Sequence, residues 1–226
     1  MSKLKIAVQK SGRLSEKSLA LLADCGIKIT NGDRKLKATA ENFPVEVLFL
    51  RDDDIPQYVE QGVADLGILG ENEVWEKGKE VTQLEKLGFA SCKLVLAIPK
   101  DEVYSGLSWF RDKKIATSYP SILRNFFKGH EIEVQIEEIG GSVEIATGIG
   151  LADAIFDIVS TGSTLMLNGL KEAEVVSRSE AILIANPNLN AEKIKTVDRL
   201  LFRIKAVRNA SANKYILLNA PDTAIA

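Results

Sequence analysis

Short apolar runs alternate along this chain with stretches of helical period, and each run is closed by glycines or charges. That alternation restricts the fold more than any other feature. Lys5–Val8, Val45–Leu50 and Asp65–Leu69 read as strands in the first part of the chain. Cys92–Ile98, Lys114–Ala116, Glu133–Ile136, Ala154–Val159 and Ala181–Ala185 continue the series. Between them, Leu14–Cys25 carries Leu19, Leu22 and Ala23 at helical spacing and stops at Gly26. Asp54 is placed to cap a helix with Pro56 in its first turn, and Ser142 to cap another. Glu192–Arg208 gathers Leu200, Leu201, Ile204 and Val207 on one side. Strands alternating with helices predict an α/β fold with mostly parallel strands.

Within this pattern lies an internal echo. Gly62-Val63-Ala64-Asp65 leads into an apolar strand ending at Gly70, and Gly150-Leu151-Ala152-Asp153 leads into one ending at Gly162. The echo admits two lobes of similar build facing each other, and equally a common turn used twice. In open α/β sheets ligands gather at the carboxyl ends of strands.

The chemical inventory is narrow. His130 is the single histidine, set between Gly129 and Glu131 in what reads as a surface turn. Ser-His-Asp or Cys-His catalysis would have to use it, and its context marks a bystander. One histidine with two distant cysteines, Cys25 and Cys92, cannot build a four-ligand zinc site. The cysteines read as small buried hydrophobes in a reducing compartment. With 29 basic and 31 acidic residues the chain has no global positive field, which argues against generic nucleic-acid binding. Hydrophobic residues make up 46% of the chain, enough for a true core, yet no run nears the roughly 20 residues of a membrane span. A cytoplasmic protein is expected, with no membrane partner.

What remains is carboxylates, cations, hydroxyls and backbone amides. Asp157 interrupts an apolar strand that opens into Ser160-Thr161-Gly162-Ser163-Thr164. A hydroxyl- and glycine-rich loop entering a helix suits a phosphate dianion, and composition alone allows an ordinary capped turn as readily. The neighbouring Asp157 favours the phosphate reading, because one carboxylate can accept both hydroxyls of a ribose diol. Gly140-Gly141-Ser142-Val143-Glu144 lies upstream, its Glu144 in a first helical turn. In the first half, Lys10, Arg13 and Arg51 sit just past strand ends, where they could converge on a polyphosphate or remain solvated surface charges. Asp52–Asp54 and Glu71-Asn72 stand beside them.

Several of these segments together resemble the ATP phosphoribosyltransferase family of histidine biosynthesis. Gln9-Lys10-Ser11-Gly12-Arg13-Leu14, Arg51-Asp52-Asp53-Asp54-Ile55-Pro56, Asp65–Asn72, Ala116-Thr117-Ser118-Tyr119-Pro120 and above all Gly150–Leu170 carry the resemblance, which runs essentially end to end. It implies a two-lobed periplasmic-binding-protein-like (type II) fold with a cleft between lobes. Lobe I would take residues 1–92 and 173–212, and lobe II residues 93–172. It implies transfer of the 5-phosphoribosyl group of phosphoribosyl pyrophosphate (PRPP) to N1 of ATP, with release of pyrophosphate. Ser160, Thr161, Gly162, Ser163 and Thr164 would hold the 5-phosphate, and Asp157 and Glu144 the ribose hydroxyls. Lys10, Gly12, Arg13, Arg51 and Glu71 would line the nucleotide and pyrophosphate side, with Tyr119 against the purine. Arg51, Lys10, Arg13 and Asp157 form the expected catalytic set. Mg2+ would be held mainly by substrate phosphates, with Asp157 or Glu144 within reach. Adenine N1 already bears a lone pair, so the absence of a histidine base fits this chemistry.

Residues Asp198–Pro221 look like the long form's passage into a histidine-sensing domain, so 213–226 are expected to be the remnant of its start, with a strand at Tyr215–Leu218. On that view the chain is a homodimer insensitive to histidine, and the full-length form a hexamer. The rival readings are a non-catalytic two-lobed module that binds small anions or nucleotides, and a silent regulatory subunit.

Overall fold

The computed structural model describes residues 3–29 and 36–212. The expected strand at Tyr215–Leu218 and the expected remnant at 213–226 lie outside the described residues. Two sheets organise the chain. The first has six strands, β1 (Leu4–Gln9), β2 (Lys37–Thr39), β3 (Val45–Leu50), β4 (Leu66–Gly70), β5 (Thr82–Lys86) and β11 (Ala181–Ala185), in the order β2-β3-β1-β4-β11-β5. The second has five, β6 (Cys92–Pro99), β7 (Lys114–Thr117), β8 (Gln135–Glu138), β9 (Ala154–Val159) and β10 (Leu170–Ser179), in the order β10-β6-β9-β7-β8.

The strands are not mostly parallel. β1, β3 and β4 run parallel, as do β7, β8 and β9, but β2, β5, β6, β10 and β11 join by antiparallel pairing. The reason lies in the connections. Parallel neighbours need a crossover element, which α1 (Arg13–Asp24) and α2 (Ile55–Glu60) supply in the first lobe. Where the chain crosses between lobes it does so through short non-helical segments, residues 87–91 and Glu180, the first turning through left-handed Gly88 (φ 76°) and Ala90 (φ 53°), so β6 and β11 arrive without a helix. The two crossings stay bonded to each other: Leu87 N–H donates to Ala181 O and Ala181 N–H to Phe89 O, each at 2.9 Å. Strand β10 pairs with β6 through Ser179, so residues 173–179 belong to the second sheet and the expected lobe boundary at 172 falls too early.

Alternation on β1 shows how each sheet is covered. Ile6 and Val8 face one side, packing with Leu22 of α1 and with Val197, Leu200 and Ile204 of the long helix α6 (Ala191–Ala212). Ala7 faces the other side with Ile55 and Val59 of α2. At Gly67 of β4 a Cβ would fall 2.6 Å from the Ile55 side chain, so α2 rides on the sheet only because that residue is glycine. The second lobe repeats the sandwich. Leu94, Leu96, Phe110, Phe127 and Phe156 fill one face, including that of α4 (Pro120–Gly129), and Val95, Ile155, Val143 and Leu165 fill the other.

Two caps differ from expectation. Ser142 adopts φ 53°, ψ 39° and makes no capping bond, and only a short 3-10 turn, Val143–Ile145, follows it. Asp54 closes a 3-10 turn, Asp52–Asp54, and likewise makes no side-chain cap to α2. No helix among the described residues is long and apolar enough to cross a membrane.

Candidate active site between the lobes

Strand direction decides where the chemistry collects. β1, β3 and β4 all end at one edge of the first sheet, delivering Gln9–Arg13, Arg51–Asp52 and Gly70–Glu73. β7 and β9 end at the facing edge of the second, delivering Tyr119 and Ser160. A cavity of about 360 Å3 lies between them, lined from the first lobe by Gln9, Arg13, Asp52, Asn72 and Glu73 and from the second by Tyr119, Ile158 and Ser160. Its floor is the crossing segment Ala90–Cys92.

Next to it, sharing Arg13, Ile158 and Ser160, is a second cavity of about 420 Å3. It gathers Glu144, Asp157 and the whole loop Ser160–Thr164. Gly162 sits at φ 81°, a left-handed turn that lets the chain swing from β9 into α5 (Ser163–Leu167). The Thr161 and Ser163 hydroxyls are 2.9 Å apart, so both point to one side of the loop. Arg13, the first residue of α1, is the first-lobe cation that reaches this loop.

Asp157 is half-buried. One of its oxygens accepts the adjacent Ile158 N–H at 2.7 Å, and no ion pair to it occurs among the described residues. Burial raises its pKa to about 6, the Ile158 N–H opposes that, and Glu144 adds to it. Two carboxylates meeting at a hydroxyl-rich loop form a donor set suited to a hard cation shared with phosphate oxygens. Among the described residues no cluster of three or more His, Cys, Asp or Glu forms a complete protein cage for a metal.

The other expected residues divide. Tyr119 lines the interlobe cavity and its hydroxyl donates to Glu73 Oε1 at 3.2 Å. Burial, and then the Glu73 and Asp157 charges, push its pKa far above the ordinary phenol value. Lys10 and Gly12 lie at the rim, exposed, and line neither cavity, with Gly12 at φ 92° where α1 begins. Arg51 is also outside both linings, its side chain 79% exposed and its Nε 3.2 Å from Asp53. Glu71 departs most from expectation. Its carboxylate pairs with Lys86 at 3.2 Å, and it borders an adjoining space of about 430 Å3 with Lys93, Arg178 and Glu180, which shares Ser91, Cys92 and Ser160 with the interlobe cavity. The nucleotide-side cavity receives Asn72 and Glu73 instead, one and two residues on.

Glu73 is not visible as a site residue in the sequence, and Asp52 stands out there only as one of an acidic triplet able to orient an arginine or hold Mg2+. Asp52 accepts the Gln9 amide at 3.1 Å, linking the ends of β1 and β3. Glu73 is buried at 7% exposure, and its pKa is raised to about 7, chiefly by burial and then by Asp52, against the Tyr119 bond and Lys77. For Glu73 the only signal available was position, within three residues of a strand's carboxyl end. Cys25 is buried as expected, whereas Cys92 is half-buried at the cavity floor, its thiol pushed up by burial. His130 ends α4, exposed, with Nδ1 2.8 Å from Phe126 O and no place in these linings.

Two α/β lobes joined by paired crossing segments, with a cleft between them, define a periplasmic-binding-protein-like (type II) architecture. A substrate-binding protein of an amino acid ABC transporter has the same fold at TM-score 0.60 and 12% identity, covering 92% of this chain and 94% of that one. The ATP phosphoribosyl transferase (HisG:HisZ) complex from Thermotoga maritima is more similar, with TM-score 0.80 and 28% identity over 92% of this chain and 99% of that chain. The HisG family model, ATP phosphoribosyltransferase, matches residues 51–206. An ATP phosphoribosyltransferase of Parabacteroides distasonis is 59% identical over 218 residues, 96% of this chain and 77% of the relative. The chain belongs to the ATP phosphoribosyltransferase family.

Proposed function

We propose that the interlobe cleft is the active site in which this chain transfers the 5-phosphoribosyl group of PRPP to N1 of ATP. The reaction yields N1-(5-phosphoribosyl)-ATP and pyrophosphate and is the first step of histidine biosynthesis. The observation that carries the residue assignment is the juxtaposition of the Ser160–Thr164 loop, Asp157 and Glu144 with Arg13 from the opposite lobe in one cavity. Loop amides and hydroxyls receive the 5-phosphate, Asp157 and Glu144 the ribose hydroxyls, and Arg13 the anionic charge where the two cavities join.

ATP occupies the adjoining space, with the purine beside Tyr119 and the triphosphate toward Lys10, Gly12, Arg13 and Arg51. Because Glu71 is paired with Lys86, its part on the nucleotide side passes in this reading to Glu73 and Asn72. The acceptor nitrogen needs no base. As the ribose centre becomes oxocarbenium-like and the diphosphate departs, catalysis consists of positioning and of stabilising charge. Mg2+, held mainly by substrate phosphates, would supply positive charge to the leaving diphosphate, and Asp157 or Glu144 would be the side chain to help hold it. A soluble, cytoplasmic homodimer completes this reading, which mass measurement in solution checks.

The decisive experiment mixes the protein with ATP, PRPP and Mg2+ and follows pyrophosphate. Release that needs both substrates is the expected result. Binding of either substrate without release would instead support the non-catalytic two-lobed module.

A further inference from the structure

Helix α4 begins without a cap of its own. Its N-cap residue is Tyr119, which makes no capping bond, and Pro120 offers no N–H. Nearby hydroxyls are committed elsewhere: Ser118 Oγ donates to Ile139 O at 2.8 Å, and Thr117 Oγ1 accepts from Tyr119 N–H at 2.8 Å. The first free amides of the helix are satisfied from the other lobe. Ser121 N–H donates to both oxygens of Glu76, at 3.0 and 3.1 Å, and Ile122 N–H donates to Glu76 Oε2 at 3.0 Å. A carboxylate on helix amides is a charge-assisted contact favoured by the helix dipole.

Glu76 lies on α3 (Glu71–Lys77), three residues after Glu73, so the two acids share one helical face. Both cross to the second lobe at the same place, Glu73 to the Tyr119 hydroxyl and Glu76 to the two amides just beyond it. Glu73 lines the reaction cleft, whereas Glu76 lines none of the cavities described above. Among the described residues this acid pair therefore joins the lobes away from the cavity floor, where the crossing segments pair and Asn72 of α3 exchanges hydrogen bonds with Ser179 of β10 at 3.1 and 2.7 Å.

We propose that α3 and the first turn of α4 form an interlobe clasp, and that Glu76 is a positioning residue which sets the spacing between the Tyr119 wall and the first lobe. A cleft held both at its floor and away from it cannot open freely about its crossing segments, so the distance between the two substrate seats is preset. This role rests on the transfer across the cleft proposed above, but the contact itself does not.

The test compares wild type, Glu76→Ala and Glu76→Gln, reading both amide hydrogen exchange and steady-state kinetics. In the substrate-free wild type, the Ser121 and Ile122 amides should exchange slowly. Glu76→Ala should expose them and lower kcat/KM by on the order of tenfold, the scale of one charged hydrogen bond. Glu76→Gln keeps one acceptor oxygen and should fall between, with a loss of about threefold. Unchanged exchange in Glu76→Ala would overturn the clasp, and exposed amides with wild-type kcat/KM would overturn the positioning role. Should the alanine variant fail to fold, Glu76→Gln decides: faster exchange with reduced kcat/KM supports the proposal, and wild-type values for both overturn it. If the wild type itself releases no pyrophosphate, the proposed function fails while the exchange data still judge the clasp.

Discussion

Replacing Glu73 by glutamine should make the protein more stable, by an amount that depends on pH. In the folded chain the Glu73 carboxyl holds its proton up to about pH 7, against 4.5 for an ordinary glutamate. Burial is the main cause and the Asp52 charge the second. A folded pKa above the unfolded one means that the native state binds the proton more tightly. The stability this confers is complete below about pH 4.5 and is lost as pH rises through about 7. At about 1.4 kcal/mol per pH unit, the interval from 4.5 to about 7 corresponds to about 3 kcal/mol. Glutamine has nearly the same shape, keeps an acceptor for Tyr119 and Asn72, and has no proton to lose. Urea unfolding of wild type and Glu73→Gln at fixed ionic strength, from pH 4 to 8.5, measures the gap. It should widen in favour of the variant by about 2–3 kcal/mol across that range. Asp157 titrates in both proteins and cancels in the difference. A gap that stays flat would refute the burial argument, and one that closes as pH rises would reverse its sign.

Three further outcomes follow from the proposed roles of the cavity at the Ser160–Thr164 loop and of its rim. Asp157 must be ionised to accept ribose hydroxyls, and its pKa is raised to about 6. The kcat/KM for PRPP should therefore rise with pH through about 6, and Asp157→Ala should abolish PRPP binding in a calorimetric titration. Arg51→Ala should lower kcat at saturating substrates by at least about tenfold, as expected for a charge contact made in the transition state. Unchanged turnover would remove Arg51 from the mechanism and leave its pairing with Asp53 as its role.

What could be read in the sequence follows how locally each feature is determined. β1, β3 and β9 are apolar because both faces are covered, and they stand out as runs. β5, Thr-Gln-Leu-Glu-Lys, and β10, Leu-Lys-Glu-Ala-Glu-Val-Val-Ser-Arg-Ser, lie at sheet edges and are largely open to solvent, so their composition hides them. The Ser160–Thr164 loop is contiguous, and its hydroxyls, glycine and preceding acid are visible together. Glu73 and Asp52 owe their roles to another lobe or another strand, which no short window contains. Glu71 illustrates the same limit: it occupies a strand end as expected, yet one helical step turns its carboxylate to Lys86 and presents Glu73 to the cleft. Ser142 has the composition of a cap, but its left-handed backbone denies it the geometry.

The placement of β11 and α6 has a consequence for biogenesis. β11 fills the gap between β4 and β5, and Val197, Leu200 and Ile204 seal the sheet over β1, so the first 86 residues leave the ribosome without the pieces that finish their lobe. The stretch from Cys92 to Ser179, by contrast, contains every strand of its own sheet. During synthesis the middle of the polypeptide can compact first, leaving the earliest segment to wait on the nascent chain for its last two elements.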